Sequence, residues 1–485
     1  MIGLYTAAEV RAAEEPLLAA TPEGTLMQRA ATGLATVCLG LLGRVHGTRV
    51  TVLAGAGNNG GDALFAGAHL ARRGARVTAV LLDPERAHAA GLAALRTAGG
   101  WVTGPDGPTG LERADLVLDG IVGIGGRGGL RPPAAALVER AATGPGLMVA
   151  VDVPSGVDAD TGAVPGAAFP AQHTVTFGAL KTGLVVGEGR GYAGRVHLVD
   201  IGLALPPAAV HQLTDADVAA RLRPPHAGDD KYTQGVVGIV AGSSTYPGAA
   251  VLCTGAALRT RPGLVRYAGT AAAGVRAAWP EAIVTEGRPS DAGRVQAWVV
   301  GPGMGTDDDA RSVLAEVLAT DLPVLVDADA LTMAAQDPDL VRRRDAPTVL
   351  TPHDREFARF GSEVGEDRVG ATRRLAADLG AVVLLKGDAT VVAAPDGAAY
   401  VNGTGTPWLA TAGTGDVLSG LTGALLATGL PAAEAAAVGA HVHGRAGQLA
   451  AEEGPLIAGD LVRCLPATLA RLTRAPADRL GDSGT

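Results

Sequence analysis

Two short runs in this 485-residue chain combine glycines with carboxylates in a pattern suited to phosphate chemistry: Gly55-Ala-Gly-Asn58-Asn59-Gly60-Gly61-Asp62 and Thr411-Ala-Gly413-Thr-Gly415-Asp416. Each is expected between a strand or turn and a helix, where the unpaired N–H groups of the first turn and the helix dipole attract an anion. Neither ends in Gly-Lys-Ser or Gly-Lys-Thr, so a Walker A loop is excluded. Their polar side chains differ, with two amides and a carboxylate in the first and one carboxylate in the second. That difference predicts two sites.

Around the first run, two further strand ends carry chemistry. Asp119-Gly120 precedes the glycine-rich Gly123-Ile124-Gly125-Gly126-Arg127-Gly128-Gly129, and Val151-Asp152-Val-Pro154-Ser155-Gly156 ends the next strand. The Asn59 amide, Asp119 carboxylate and Ser155 hydroxyl form an oxygen-rich set that suits a hard cation better than zinc. Asp152 stands apart as an acid/base candidate, because a carboxylate at a strand end beside a ligand can exchange a proton.

In the second half, Gly413–Asp416 would place backbone donors around a phosphate with the Asp416 carboxylate beside them, an anion hole with a base suited to phosphoryl transfer. Lys386-Gly387-Asp388-Ala389-Thr390 joins two strand-like runs in a tight loop suited to nucleotide phosphate, with Lys386 as a point charge. Leu350-Thr-Pro-His353 and Gly301-Pro-Gly303 follow other strand ends; each signal is weak alone and stronger as part of the set. His441 and His443 sit two apart on an expected helix, where they share no face, and are read as structural or surface residues.

The elements that must position these residues follow a βαβ rhythm. Apolar runs at 50–54, 77–82, 116–119 and 148–152 alternate with helical patterns near 62–73, 84–98 and 132–142, preceded by two helices, the first capped at Thr6-Ala-Ala-Glu9 and the second around 28–42. Leu205-Pro-Pro207 ends this rhythm, and Thr214-Asp-Ala-Asp217 starts a new helix. A second rhythm has strands at 236–241, 297–300, 324–327, 349–351 and 382–385 with helices near 248–259, 307–319, 353–360 and 366–379, closed by helices at 414–428 and 431–452. Such rhythms predict parallel sheets covered on both faces, which bind ligands at their carboxyl edges. The expected domains are 1–212 and 213–485, with a flexible tail after about residue 474, and no fixed-period repeat relates them.

Charged residues are only 18% of the chain against 47% hydrophobic, which argues against extensive disorder, and the net charge of −9 argues against nucleic-acid or anionic-membrane partners. Cys38, Cys253 and Cys464 are far apart and odd in number, so a reducing cytoplasm is expected. Glu9, Arg11, Glu14 and Glu15 stand where a signal peptide would need an apolar run, so none is expected, and no stretch is expected to reach the length of a membrane span.

Asn58–Asp62, Asp119 and Asp152-Val-Pro-Ser155-Gly-Val-Asp-Ala-Asp160-Thr-Gly162 resemble the NAD(P)H-hydrate epimerase domain over about residues 5–210. The resemblance implies a Rossmann-like α/β/α domain with a potassium ion on Asn59, Asp119 and Ser155. It also implies that the hydrated dinucleotide contacts Asn58, Asn59, Gly60, Gly61, Asp62, Gly123–Gly129 and Asp152, the last as epimerisation base. Lys231-Tyr-x-x-Gly235, Tyr246-Pro-Gly-Ala-Ala250, Gly301-Pro-Gly303, Asp327-Ala-Asp329-Ala-Leu331, Leu350–His353, Lys386–Thr390 and Gly413–Asp416 resemble the ADP-dependent NAD(P)H-hydrate dehydratase, a ribokinase-like α/β fold, over about 214–473. This second resemblance implies that the hydrate contacts Ala250, Gly303, His353 and Asp416. It also implies that the adenine nucleotide, ADP or ATP with Mg2+, contacts Lys386, Gly387, Asp388, Ala389, Thr390 and Gly415. The chain departs from these patterns at Ala63, where glycine is usual, and at Arg261-Pro262, where a small Gly-Ala pair is usual.

Together the resemblances imply repair of hydrated NADH and NADPH, one domain interconverting the R and S epimers and the other dehydrating the S epimer at the expense of ADP. The expected partners are NADHX or NADPHX, the nucleotide and further copies of the chain in a homo-oligomer. Two rivals stand beside this reading: a small-molecule kinase built on the second half, and a first half that binds a nucleotide or protein without catalysis.

Overall fold

A computed structural model describes residues 1–222, 225–260 and 262–474; Arg261 and the tail expected to be flexible lie outside the described residues. The chain divides into two compact units, one formed by Gly3–Val210 and the other by His211–Thr485 together with Met1–Ile2.

Elements of the first rhythm are β1 (Ile2–Tyr5), α1 (Ala7–Ala20), α2 (Thr25–Leu42), β2 (Arg49–Ala54), α3 (Asn58–Arg72), β3 (Arg76–Leu81), α4 (Ala89–Thr97), β4 (Trp101–Thr103), β5 (Leu116–Gly120), α5 (Ala134–Ala142), β6 (Leu147–Val151), β7 (His173–Phe177), β8 (Leu180–Lys181), α6 (Gly189–Ala193) and β9 (Arg195–Val199). Thr6 caps α1 with the expected capping box, its hydroxyl accepting from Glu9 N and the Glu9 carboxylate accepting from Thr6 N. Seven parallel strands pair in the order β4-β3-β2-β5-β6-β7-β9. The order reverses between β2 and β5, so the crevice at their carboxyl ends is the topological switch point where such sheets take ligands. Two apolar clusters pack on the sheet, one including Leu34, Val52, Leu64, Leu118 and Val151 and the other Leu53, Val117, Leu137 and Phe169.

The second rhythm runs β10 (Val210–Gln212), α7 (Asp215–Arg221), β11 (Val236–Val240), α8 (Pro247–Thr260), β12 (Leu264–Ala268), α9 (Ala272–Ala278), β13 (Ile283–Thr285), β14 (Ala297–Val300), α10 (Asp308–Leu318), β15 (Val324–Val326), α11 (Asp329–Gln336), α12 (Asp339–Arg342), β16 (Thr348–Leu350), α13 (Asp354–Ala358), α14 (Arg368–Leu379), β17 (Val382–Leu385), β18 (Val391–Ala393), β19 (Ala399–Val401), α15 (Thr414–Ala427), α16 (Ala432–Ala451) and α17 (Ala458–Thr473). Strands β13-β12-β11-β14-β15-β16-β17 are parallel, and β18 and β19 continue the sheet antiparallel. Here the order reverses between β11 and β14. Helix α15 is almost wholly buried, and the core gathers around Val417, Leu421, Leu425, Cys253, Val299 and Val438.

Several expectations need correction. Strands β4, β7, β9, β12 and β13 were not foreseen, because runs such as His173-Thr-Val-Thr-Phe177 and Leu264-Val-Arg-Tyr-Ala268 mix polar residues into short segments. The second domain is closed by a third helix, α17, whose internal Pro466 weakens its helical signature. Helix α3 begins at Asn58 and not near Asp62, so the whole Asn58–Asp62 run lies inside its opening turns. Helix α2 is, by length and composition, long and apolar enough to cross a membrane, contrary to expectation. In the structure one face of it packs on the sheet: Leu26, Ala30, Leu34, Ala35 and Cys38 are buried, and Gly33 lies so close to Val199 that a Cβ there would come within 2.3 Å of a methyl group.

Candidate functional sites

In the first unit a cavity of about 1760 Å3 opens beside the switch point. Its walls include Arg11 and Glu14 of α1, Asn58, Asn59 and Asp62 of α3, the loop Gly123-Ile124-Gly125, Asp152 and Lys181. The backbone at its base is tight. A Cβ at Gly55 would lie 2.0 Å from the Ile121 carbonyl oxygen, and one at Gly60 would lie 2.2 Å from that of Gly55. Only glycine fits at either position.

Of the three residues read as cation ligands, Asp119 and Ser155 bond each other, and Asn59 lies against Gly123 in the loop after β5. The fully buried Asp119 accepts from Ser155 N at 2.8 Å, from Ser155 Oγ at 2.7 Å and from Ile121 N at 3.2 Å. Burial pushes its carboxyl up to about 6, against the lowering pull of these bonds. Asn59 is 8% exposed and its Nδ2 has no partner, while a Cβ at Gly123 would lie 3.2 Å from its Oδ1. One carboxylate, one hydroxyl, one amide oxygen and the nearby Val122 carbonyl, 3.1 Å from Ser155 Oγ, make a donor set of hard oxygens with a single charge. That chemistry fits a monovalent cation.

Asp152 follows β6 in the left-handed region, at φ 66. Its Oδ1 accepts from Lys181 Nζ at 2.6 Å and from Thr176 Oγ1 at 3.2 Å. Lys181, 1% exposed, also donates to the Phe177 carbonyl at 2.8 Å. The sequence reading missed this lysine. A charged residue in the otherwise apolar stretch after β7 was the available signal, since a lysine is almost never buried unless paired. Asp62 lines the same cavity, with its carboxyl raised well above the ordinary value by burial and then by Asp152 and Glu14. The expected glycine-rich contact loop divides: Gly123, Ile124 and Gly125 line the cavity, whereas Arg127 and Gly128 are exposed and Gly129 packs on Gly166. Gly61 is buried against His88.

The second unit repeats the logic with different groups. Helix α15 starts from Gly413, left-handed at φ 87, and Asp416 sits in its first turn. Burial pushes the Asp416 carboxyl up to about 7, with Asp327 and Asp329 adding and Lys386 opposing. Lys386 leaves β17 and points its ammonium at Asp327, 2.8 Å away, with Glu356 at 3.6 Å; a Cβ at Gly415 would lie 3.8 Å from Lys386 Nζ. Asp327 also accepts from Ser419 Oγ at 2.7 Å, one turn beyond Asp416 on α15. These partners hold the buried Asp327 carboxyl below its ordinary value despite desolvation. Ala328, which follows, is left-handed at φ 50. Among the described residues, Ala328 and Asp152 are the only non-glycine residues at positive φ, one in each site.

The other expected residues are placed as follows. Ala250 is fully buried on α8 under Gly242; Gly303, at φ 64, lies against Tyr246. His353 caps α13, its Nδ1 accepting from Arg355 N at 3.1 Å and Glu356 N at 3.3 Å, which puts the ring proton on Nε2 at a half-exposed position. In the β17–β18 turn Ala389 is buried, so it can offer a ligand only backbone, and Thr390 Oγ1 reaches the Gly387 carbonyl at 3.4 Å. Asp388 also belongs to this turn. His441 and His443 are both buried: His441 pairs with Asp215 at 2.7 Å, and His443 donates from Nε2 to the Thr414 carbonyl at 2.9 Å, with burial pushing its ring down to about 4.

Two family models match the chain, that of the YjeF-related protein N-terminus over residues 23–183 and that of NAD(P)H-hydrate dehydratase over residues 237–466. A bifunctional NAD(P)H-hydrate repair enzyme of Mycobacterium leprae is 55% identical over 457 residues, covering 93% of this chain and 95% of that one. The chain belongs to the bifunctional NAD(P)H-hydrate repair enzymes.

As a member of this family it carries an epimerase domain and a dehydratase domain. A ribokinase-like superfamily protein of Enterococcus faecalis matches with a TM-score of 0.51 at 24% identity, over 56% of this chain and 99% of that one, which shows the ribokinase-like fold of the dehydratase unit. An ADP/ATP-dependent NAD(P)H-hydrate dehydratase of Bacillus subtilis, co-crystallised with ATP and Mg2+, is 30% identical over 54% of this chain and 99% of that one, with a TM-score of 0.49. For this repair enzyme the sequence reading missed Lys181 and Ser419, whose bonds to Asp152 and Asp327 join residues 29 and 92 positions apart, and Glu14, which lines the cavity from α1.

Proposed function

We propose that the cavity of the first unit equilibrates the R and S hydrates with Asp152 as base, and that Asp416 drives dehydration of the S hydrate in the second unit with ADP or ATP as co-substrate. The observation that carries the second assignment is a carboxylate in the opening turn of a buried helix, titrating about 7, beside a lysine. A general base is most effective with such a value. Asp416 takes the proton of the added hydroxyl as its oxygen bonds to the terminal phosphoryl group and the bond from that group to the rest of the nucleotide breaks, releasing AMP from ADP or ADP from ATP. The first-turn amides of α15 and Lys386 stabilise the charge on the transferring oxygens. The resulting phosphate ester then eliminates, releasing phosphate and restoring the reduced nicotinamide. Gly387–Thr390 and Gly415 flank the nucleotide, while Ala250, Gly303 and His353 flank the hydrate, with His353 Nε2 available as donor.

Mg2+ accompanying the nucleotide would neutralise phosphate charge, with Asp329 and Glu356 as hard oxygen donors close to Lys386 and Asp416. In the first unit K+ would be held by Asn59, Asp119 and Ser155 and would attract the substrate's phosphates toward Asn58–Asp62 and Gly123–Gly125. The three free cysteines support a reducing cytoplasm, and the enzyme is read as a homo-oligomer, which sedimentation would measure.

The deciding experiment incubates racemic hydrate with ADP or ATP and follows both epimers by chromatography. Consumption of both epimers with recovery of reduced nicotinamide and free phosphate is expected. A stable phosphorylated product would instead favour a kinase.

A further inference from the structure

The cavity of the first unit contains a carboxylate that the roles above leave unused. Glu14 lies one turn beyond Arg11 on α1, and both face the cavity. Arg11 Nη2 donates to the Ile124 carbonyl at 3.2 Å, which ties this face of α1 to the Gly123–Gly125 loop of the same cavity. Glu14 is half-buried, and among the described residues its carboxylate has no hydrogen-bond or ion-pair partner. Asp152, by contrast, is tied to Lys181 at 2.6 Å. We propose that Glu14 is the proton donor that works opposite Asp152 in epimerisation, an inference that rests on the epimerase reading above.

The two carboxylates differ as an acid and a base should. The groups that face Glu14 are Asp152 after β6, Lys181 on β8, Asp62 on α3 and Arg11 on its own helix. Burial holds its carboxyl above the ordinary value and the charge of Asp152 adds to this, while Lys181 and Arg11 oppose. Asp152 carries the Lys181 ammonium on its Oδ1, whereas no ammonium is bonded to Glu14 among the described residues. Asp62 is the alternative donor, but its Oδ1 is sealed from solvent without a partner, so that oxygen is closed to a ligand in the cavity. Glu14 lines the cavity from α1, close enough to Asp62 and Asp152 for their charges to act on one another.

The chemistry balances without a co-reactant. The epimers differ at the ring carbon that bears the added hydroxyl and is bonded to the ring nitrogen. Asp152 takes the hydroxyl proton, the oxygen's electron pair forms a carbonyl, and the carbon–nitrogen bond breaks. Glu14 delivers a proton to the departing nitrogen. Rotation about the adjacent single bond turns the other carbonyl face to the nitrogen, which attacks it. Glu14 recovers its proton, and Asp152 returns the other to oxygen. No bond is changed in sum except the configuration at one carbon.

The test uses the full chain, one pure epimer and no nucleotide, so that the dehydratase is idle. Glu14→Gln is expected to lower the rate constant for epimer equilibration by about a hundredfold or more, the usual contribution of a positioned acid. It should also remove the fall in rate at high pH that marks loss of the acid's proton. Glu14→Asp should restore part of the rate and the high-pH fall. Dehydration of the S hydrate by the same Glu14→Gln protein, unchanged from wild type, shows that the chain is intact. An unaltered epimerisation rate in Glu14→Gln overturns the proposal. So does a lowered rate with the high-pH fall still present, or a fall that disappears in Asp62→Asn and persists in Glu14→Gln. If the wild-type chain itself does not speed equilibration, the epimerase reading fails instead.

Discussion

Asp152 and Asp416 are both carboxylates at the carboxyl edge of a parallel sheet, and each is set against one lysine in a different way. Lys181 bonds Asp152 directly at 2.6 Å, whereas Lys386 bonds Asp327 and leaves Asp416 to be pushed up to about 7 by burial. Because Asp416 must be ionised to accept a proton, kcat/KM for the S hydrate should climb as pH rises through about 7 and level off above it. A pH–rate profile that is flat there would remove Asp416 as the base, and Asp416→Asn should abolish dehydration while leaving epimerisation intact. The same shift has a stability sign. A carboxyl raised on folding contributes most below its unfolded value, and that contribution is lost as pH climbs through about 7, so Asp416→Asn should flatten the decline in unfolding temperature over this window. Lys181→Met strands a buried carboxylate and should cost about 3–5 kcal/mol by chemical denaturation, along with most of the epimerase rate. Residues inside glycine-rich runs were legible from sequence because backbone geometry demands their types. Lys181 and Glu14 were not, since a lone charge in a helix or short strand carries no local mark of the cavity it will face.

Strand order decides where those residues meet. In each unit it reverses, between β2 and β5 or between β11 and β14, and close backbone contacts lie at the strand ends beside the reversal, Gly55 after β2 against Ile121 after β5 and Gly301 after β14 against Asp327 after β15. A Cβ at Gly301 would come within 1.9 Å of the Asp327 carbonyl oxygen, at φ 128. Gly301→Ala should therefore destabilise the dehydratase unit by about 1–3 kcal/mol or more, as overpacking does, and displace the Asp327–Lys386 pair. Differential scanning calorimetry that shows no lowered transition would disprove this. The apolar core strands β2, β5, β6, β11, β14, β15 and β17 were readable as runs. The sheet edges β4, β9 and β13 and the neighbouring β12 were not, because short strands of three to five residues blend polar and apolar side chains without a clear period. Helix α2 shows the converse limit: composition alone cannot separate a membrane-length apolar helix from one that packs a single face on β7 and β9.

At the scale of the molecule, two units with separate apolar cores carry the two activities of the family. With racemic hydrate and ADP, Asp152→Asn should stall after the S epimer is consumed, the R epimer then decaying only at its spontaneous rate; full consumption at the wild-type rate would refute Asp152 as base. Potassium should raise the unfolding temperature of the epimerase unit relative to choline at equal ionic strength, since a ligand that binds only the folded chain stabilises it. Ser155→Ala should blunt that gain. The left-handed alanine at position 328 offers a lever of another kind, to anyone engineering this chain for heat tolerance. Its conformation suits glycine, so Ala328→Gly would release about 1–3 kcal/mol of stored strain against about 0.5–1 kcal/mol of added chain entropy. A sturdier enzyme could thus be had from one backbone position, at the risk of loosening the aspartates on either side of it.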